Sequence, residues 1–264
     1  MSDLLVPLRI AVQLKHVPLP LPKALAKVRA MGAQAVEWDA RGPIRPRDFT
    51  GTAVREVRKL LEDYELRVCA VEFHTRRGYG ATDDLERRIE ATKDAMKMAR
   101  QLGCDLVVNQ VGQVPDDLDS SEGRTMVEAL RDLGLYAQHA GAWLAAETGS
   151  EEGKDLRRLI DALPPGAMFA TLDPGNLLLN GFSAQEAAEA LGDLVRHVHA
   201  HDAVRDLGRK RGLEVQLGRG SVDWPTLLGT LETRGFRGYY SVEREAADDP
   251  LLEIGQAVQY LAQL

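Results

Sequence analysis

Short apolar, β-branched runs alternate along the chain with longer segments whose apolar residues return every three or four positions. The short runs are LRIAVQL (8–14), AVEWDA (35–40), LRVCAVEFH (66–74) and DLVVNQVG (105–112). They continue with AWLAAET (142–148), MFATLD (168–173), VRHVHAHD (195–202) and GYYSVER (238–244). Between them TAVREVRKLLEDY (52–64), TDDLERRIEATKDAMKMARQLG (82–103) and AQEAAEALGDL (184–194) carry the helical period, with one face to bury. Gly32, Gly103 and Gly235 are placed to close helices, because glycine accepts the left-handed conformation found there. Asp83 and Ser183 are placed as helix N-caps.

Eight strands alternating with eight helical or loop segments fit a closed (β/α)8 barrel or an open doubly wound sheet. Neither GxGxxG nor GxxxxGK[ST] follows the first strand, which removes support from the nucleotide-binding sheets. No Pro/Ser/Gly-rich linker, low-complexity tract or composition break divides the 264 residues, so residues 1–264 read as one domain.

Composition narrows the partners. The balance of 44% hydrophobic and 28% charged residues is that of an ordinary soluble protein. A formal charge of −7 argues against a nucleic-acid binder. The exception is RDLGRKRG, where Arg205, Arg209, Lys210 and Arg211 form either a solvated loop or an anion contact near an active site. Cys69 and Cys104 sit in apolar runs and read as small core residues in a reducing compartment. The N-terminus lacks the layout of a signal peptide, and no run approaches the roughly 20 apolar residues of a membrane span. The expected setting is cytoplasmic, with no membrane partner; nothing fixes the oligomeric state, and a homo-oligomer is allowed.

Alternate side chains of a barrel strand point inward, and those at its C-terminal end face the mouth. On that parity His197, His199 and His201 share a face, as do Trp143, Ala145 and Glu147. So do Phe169, Thr171 and Asp173, and again Tyr239, Ser241 and Glu243. Asp173 follows Glu147 by 26 positions, His199 follows Asp173 by 26, and Glu243 follows His199 by 44. Four consecutive strands thus end in Glu, Asp, His and Glu at comparable depth. Three carboxylates and one imidazole suit Mn2+ or Mg2+ and accept Co2+ or Zn2+.

The Glu of AAETG, the Asp of TLDPGNLL, the second His of HVHAHD, and LGRGSVDW followed by RGYYSVERE together resemble the xylose-isomerase-like (β/α)8 superfamily. That superfamily includes sugar-phosphate isomerases and epimerases, ketose 3-epimerases, inosose dehydratases and endonuclease IV. The resemblance covers nearly the whole chain. It implies a TIM barrel with its active site at the C-terminal face of the strands and Glu147, Asp173, His199 and Glu243 as metal ligands. It further implies an isomerase or epimerase of a small sugar, ketose or polyol, with Glu147 and Glu243 as the two bases flanking an enediolate. A dehydratase of keto-inositol or dehydroshikimate type on the same scaffold is the alternative; a silent sugar- or partner-binding barrel is another.

Around that set, His74, Glu37 and Trp38 are candidate substrate contacts, as are Asn176, His201 and Arg205. Asn176 stands where many ketose epimerases carry histidine, and His201 where related members carry lysine. Asn109 and Gln110 stand where endonuclease IV has a ligating histidine, so a trinuclear zinc cluster and DNA cleavage lose their support. Arg76 and Arg77 offer cations to a phosphate or to solvent. Trp143 could stack on a sugar or pack in the core. His197 reads as a support one layer below His199, and Asp202 as the orienting partner of a histidine or the end of its strand. His16 and His139 stand apart from the constellation.

Overall fold

The computed structural model describes residues 7–206 and 211–264. In chain order the first half runs β1 (Ile10–Gln13), α1 (Leu21–Met31), β2 (Ala35–Asp39), α2 (Gly51–Asp63), β3 (Arg67–Glu72), α3 (Leu85–Leu102), β4 (Leu106–Asn109) and α4 (Ser121–Ala140). Next come β5 (Trp143–Glu147), α5 (Gly153–Asp161), β6 (Met168–Leu172), α6 (Pro174–Leu179), α7 (Ala184–Leu191) and β7 (Val195–Ala200). The chain ends with β8 (Asp202–Asp206), β9 (Arg211–Val215), α8 (Trp224–Thr233), β10 (Tyr240–Val242) and α9 (Pro250–Leu261). Eight parallel strands close in the order β1-β10-β7-β6-β5-β4-β3-β2, so of the two architectures the pattern allowed, the barrel is the one formed.

The alternation seen in the sequence becomes two layers. Outward residues Val36, Val71, Val107, Leu172, Val198 and Val242 are fully buried between strands and helices. Inside, Ala70, Leu106, Val108 and Ala145 form a separate small cluster that fills the barrel below the mouth. Gly32 and Gly103 cap α1 and α3 with φ of 100° and 84°. Ser183 caps α7 by accepting from the Glu186 amide. Asp83 does not cap α3: the helix starts one residue later than that role needs, and the Asp83 carboxylate instead faces Arg77 at 3.2 Å.

The sequence pattern did not reveal β8 and β9. They pair antiparallel, Asp202 with Val215 and Val204 with Leu213, across part of what read as a basic loop. Arg209 and Lys210 lie outside the described residues. Arg205 is exposed and donates to the Gly181 carbonyl, which ties the hairpin to the turn after α6. No helix among the described residues is long and apolar enough to cross a membrane.

Candidate active site

Strand register delivers the chemistry to one end of the barrel. Glu147 pairs with Thr171, Thr171 with His197, and His199 with Ser241. The residues two positions further on, Asp173 and Glu243, therefore rise beside Glu147 and His199. One ligand atom from each of Glu147, Asp173, His199 and Glu243 lies within 4.8 Å of the others, and all four side chains are buried. His199 Nδ1 is 2.8 Å from Glu243 Oε2, 3.0 Å from Glu147 Oε1 and 3.5 Å from Asp173 Oδ2.

Burial opposes charge at every one of these groups, and the partners decide the outcome. Burial lowers the His199 pKa, yet Glu37 and Glu243 hold it well above the ordinary imidazole value. Burial raises Glu243, yet His199 and Lys15 bring it down to about 2. Glu147 is likewise held well below the usual carboxylate range, by His74 and His199 against burial. Three carboxylates around one imidazole nitrogen call for a cation, either a proton on Nδ1 or a divalent ion that takes Nδ1 as a ligand. The donor set is mostly oxygen with one nitrogen, which fits Mn2+, Mg2+, Co2+ or Zn2+.

The remaining expected residues take unequal positions. Glu37 is 1% exposed. It accepts from His197 Nε2 at 3.0 Å and from His199 Nε2 at 3.2 Å, so both oxygens are committed to the histidines below the mouth. His197 shares Glu37 with His199, and the two rings meet edge-on with centroids 5.5 Å apart. Trp38 lies on the opposite face of β2, buried against Phe49 with ring centroids 6.4 Å apart, which corrects the expectation of a substrate contact. Trp143 opens β5 four residues before Glu147, at the far end of the strand. Arg205 points its guanidinium at the α6–α7 turn and not at the four ligand-type residues.

His74 joins two acids: Nε2 is 3.0 Å from Glu147 Oε2 and Nδ1 is 3.2 Å from Glu72 Oε1. Asn176 donates from Nδ2 to Asp173 Oδ2 at 2.8 Å, and its backbone amide donates to Asp173 Oδ1 at 2.7 Å. His201 Nδ1 donates to Asp173 Oδ1 at 3.0 Å, while its buried Nε2 makes no hydrogen bond. Gly175 leaves the space that His201 fills, since a Cβ there would sit 2.4 Å from the ring Cγ. Asp202 orients no histidine: it accepts from the amides of Ala203, Gly218, Gly220 and Val222 and from Trp224 Nε1.

The end of β1 was missed. Gln13 Nε2 donates to Glu243 Oε2 at 2.9 Å. Lys15 Nζ lies 2.9 Å from Glu72 Oε1 and 3.7 Å from Glu243 Oε1. His16 Nε2 is 4.0 Å from Glu243 Oε1, so it does not stand apart. The signal was available, because Gln13 and Lys15 share the parity that singled out the other strand ends. Beside Glu147 a cavity of about 440 Å³ opens between the loops after β3, β4 and β5 and the side of α6.

The family model described as xylose isomerase-like TIM barrel matches residues 25–264. Among curated proteins, an inosose dehydratase of Clostridium perfringens is 26% identical over 152 residues, 51% of this chain and 50% of that protein. The chain thus spans about half the length of the curated relatives it matches. Among solved structures, a xylose isomerase domain protein from Planctomyces limnophilus superposes with a TM-score of 0.85 at 24% identity, covering 98% of this chain and 97% of that one. A xylose isomerase-like TIM barrel protein from Mycobacterium smegmatis in complex with magnesium gives 0.78 at 18% identity, covering 97% and 95%. D-allulose 3-epimerase from Methylomonas sp. in complex with D-allulose gives 0.76 at 17%, covering 97% of each chain.

Proposed function

The chain belongs to the xylose isomerase-like TIM-barrel family, and from that premise we propose that it is a divalent-metal-dependent isomerase or epimerase of a small sugar, ketose or polyol-derived ketone. The observation that carries this reading is the convergence of Glu147, Asp173, His199 and Glu243 within 4.8 Å at the mouth. Those four residues would hold the ion, which when bound supplies Lewis-acid charge to adjacent substrate oxygens. Glu147 and Glu243 stand on β5 and at the end of β10, separated around the barrel by β6 and β7. One carboxylate removes the proton next to the carbonyl and the other returns it, because a planar enediolate needs a base on each side to invert a centre.

Each base has a basic neighbour of its own, His74 beside Glu147 and Lys15 beside Glu243. Both carboxylates are therefore ionised before the reaction and ready to accept. Gln13 and Gln110 fix them further, each donating to one of the two at 2.9 and 3.0 Å.

A dehydratase is the second reading, supported by the likeness to inosose dehydratase and by His201. Burial lowers the pKa of that imidazole, but Asp173 raises it to about 9, so it is protonated at neutral pH. Its Nε2, which makes no hydrogen bond and lies 3.6 Å from Glu214 Oε1, is the atom that would protonate a departing hydroxide. Incubating Mn2+-loaded protein with a ketose and keto-inositol panel in D2O separates the two readings. Deuterium at the carbon next to the carbonyl, lost at least 100-fold in Glu147→Gln and Glu243→Gln, supports the isomerase. A new enone absorbance with loss of water supports the lyase. Neither signal with any member of the panel leaves a silent binding barrel and refutes both.

A further inference from the structure

The cavity beside Glu147 is ionically one-sided. Glu147 is the acid on its wall, while Arg76 and Arg77 are its cations. Arg77 is committed, its Nη1 3.2 Å from Asp83 Oδ2. Arg76 makes no side-chain hydrogen bond or ion pair among the described residues.

The loop that carries Arg76 is built to hold its position. Thr75 Oγ1 donates to the Gln110 carbonyl at 2.6 Å, and the Tyr79 amide to the Val111 carbonyl at 2.9 Å. Gly78 has φ of 59° and meets the neighbouring loop backbone to backbone, where a Cβ would come within 2.3 Å of the Val111 oxygen. Arg88 donates to the carbonyls of Gly78, Ala81 and Asp83. Tyr79 is fully buried with its hydroxyl 2.8 Å from Thr92 Oγ1. A loop anchored at that many points fixes the Arg76 backbone at the cavity wall, so binding has only its exposed side chain to order.

A second guanidinium lies outside the cavity wall, on the loop after β2. Arg41 Nε donates to the His74 carbonyl at 2.6 Å, and its guanidinium carbon lies 4.4 Å from the Phe73 ring centroid. Burial first, and the charge of Arg76 next, hold Arg41 below the ordinary arginine value. Arg41 has Asp39 beside it and Arg77 has Asp83, which leaves Arg76 as the cation on the cavity wall with no acid of its own among the described residues. A bound oxyanion gives Arg76 a partner, and the planar guanidinium fork matches two oxygens of a carboxylate or phosphate.

We propose that the cavity receives an oxyanion at its Arg76 end, so that the substrate is an α-hydroxycarbonyl compound bearing a carboxylate or phosphate and not a neutral sugar. The proposal rests on the reading that Glu147 faces the reacting carbon. Equilibrium binding tests it without turnover, so its failure is distinct from failure of the proposed reaction. The probes are D-ribulose, D-ribulose 5-phosphate and D-ribonate, titrated calorimetrically into Mn2+-loaded protein at low salt, with inorganic phosphate as a fourth arm.

The expected result is at least tenfold tighter binding of one anionic probe than of D-ribulose, the phosphate and carboxylate arms showing which oxyanion is read. Arg76→Gln removes that advantage and leaves D-ribulose binding unchanged, while Arg76→Lys restores part of it. Equal binding of neutral and anionic probes by the native protein overturns the proposal. So does an anion preference that survives Arg76→Gln.

Discussion

His199 is held from both sides of its ring. Nδ1 faces Glu147, Asp173 and Glu243, and Nε2 meets Glu37. Glu37 is kept well below the usual carboxylate range, because His199 and His197 outweigh its burial, and an ionised carboxylate can only accept. Nε2 therefore carries hydrogen, and Nδ1 is the atom left for a cation. A carboxylate in this position orients a ligating imidazole and raises its basicity. Glu37→Gln should weaken Mn2+ binding by about 10- to 100-fold, read by calorimetric titration; unchanged affinity would show that Glu37 only fills space. Parity was enough to put His199 among the ligands from the sequence. It did not give the depth of Glu37, because the ladder between β2 and β3 shifts register between Val36 and Glu37.

The hairpin of β8 and β9 works at the level of an element. Its first residue, Asp202, gathers the segment from Gly218 to Val222 through backbone amides at 3.0 to 3.3 Å. Its far strand brings in Glu214, which accepts from the amides of Glu245 and Ala246 at 2.8 and 2.7 Å and lies 2.9 Å from Arg244 Nη1. The loop after β10, and with it Glu243, is thus braced by an element that is not part of the barrel. Sequence reading missed this because charged residues break up the alternation of β9 and every partner of Glu214 is distant in the chain. Asp202→Ala leaves several buried donors without an acceptor, each costing about 1–3 kcal/mol. The expected loss of unfolding free energy is about 3–5 kcal/mol, a few such penalties taken together, measured by urea denaturation. A change below about 1 kcal/mol, within the range of a single ordinary hydrogen bond, would mean that the loop holds itself.

At the scale of the whole molecule, β5, β6, β7 and β10 are neighbours around the barrel, so the four ligand-type residues tie together one continuous half of it. The repeated spacing of 26 made that half legible in the sequence, since one strand-helix unit has about that length. Closure was not legible: the pairing of β10 with β1 depends on curvature accumulated over all eight strands, and no local pattern records it. Three buried carboxylates facing one another across this half repel unless a cation sits between them. An ion that binds the folded barrel and not the unfolded chain stabilises it by about 2.7 kcal/mol at 100 times its dissociation constant. For a chain near this length each kcal/mol moves Tm by about 2–4 °C, so saturating Mn2+ should raise Tm by about 5–10 °C in one cooperative transition. Asp173→Asn keeps the side-chain volume but removes one charge and should abolish most of the rise, and a chelator should reverse it in the native protein. If Mn2+, Mg2+, Co2+ and Zn2+ all leave Tm unmoved, the four residues form a structural ion network and not a metal centre.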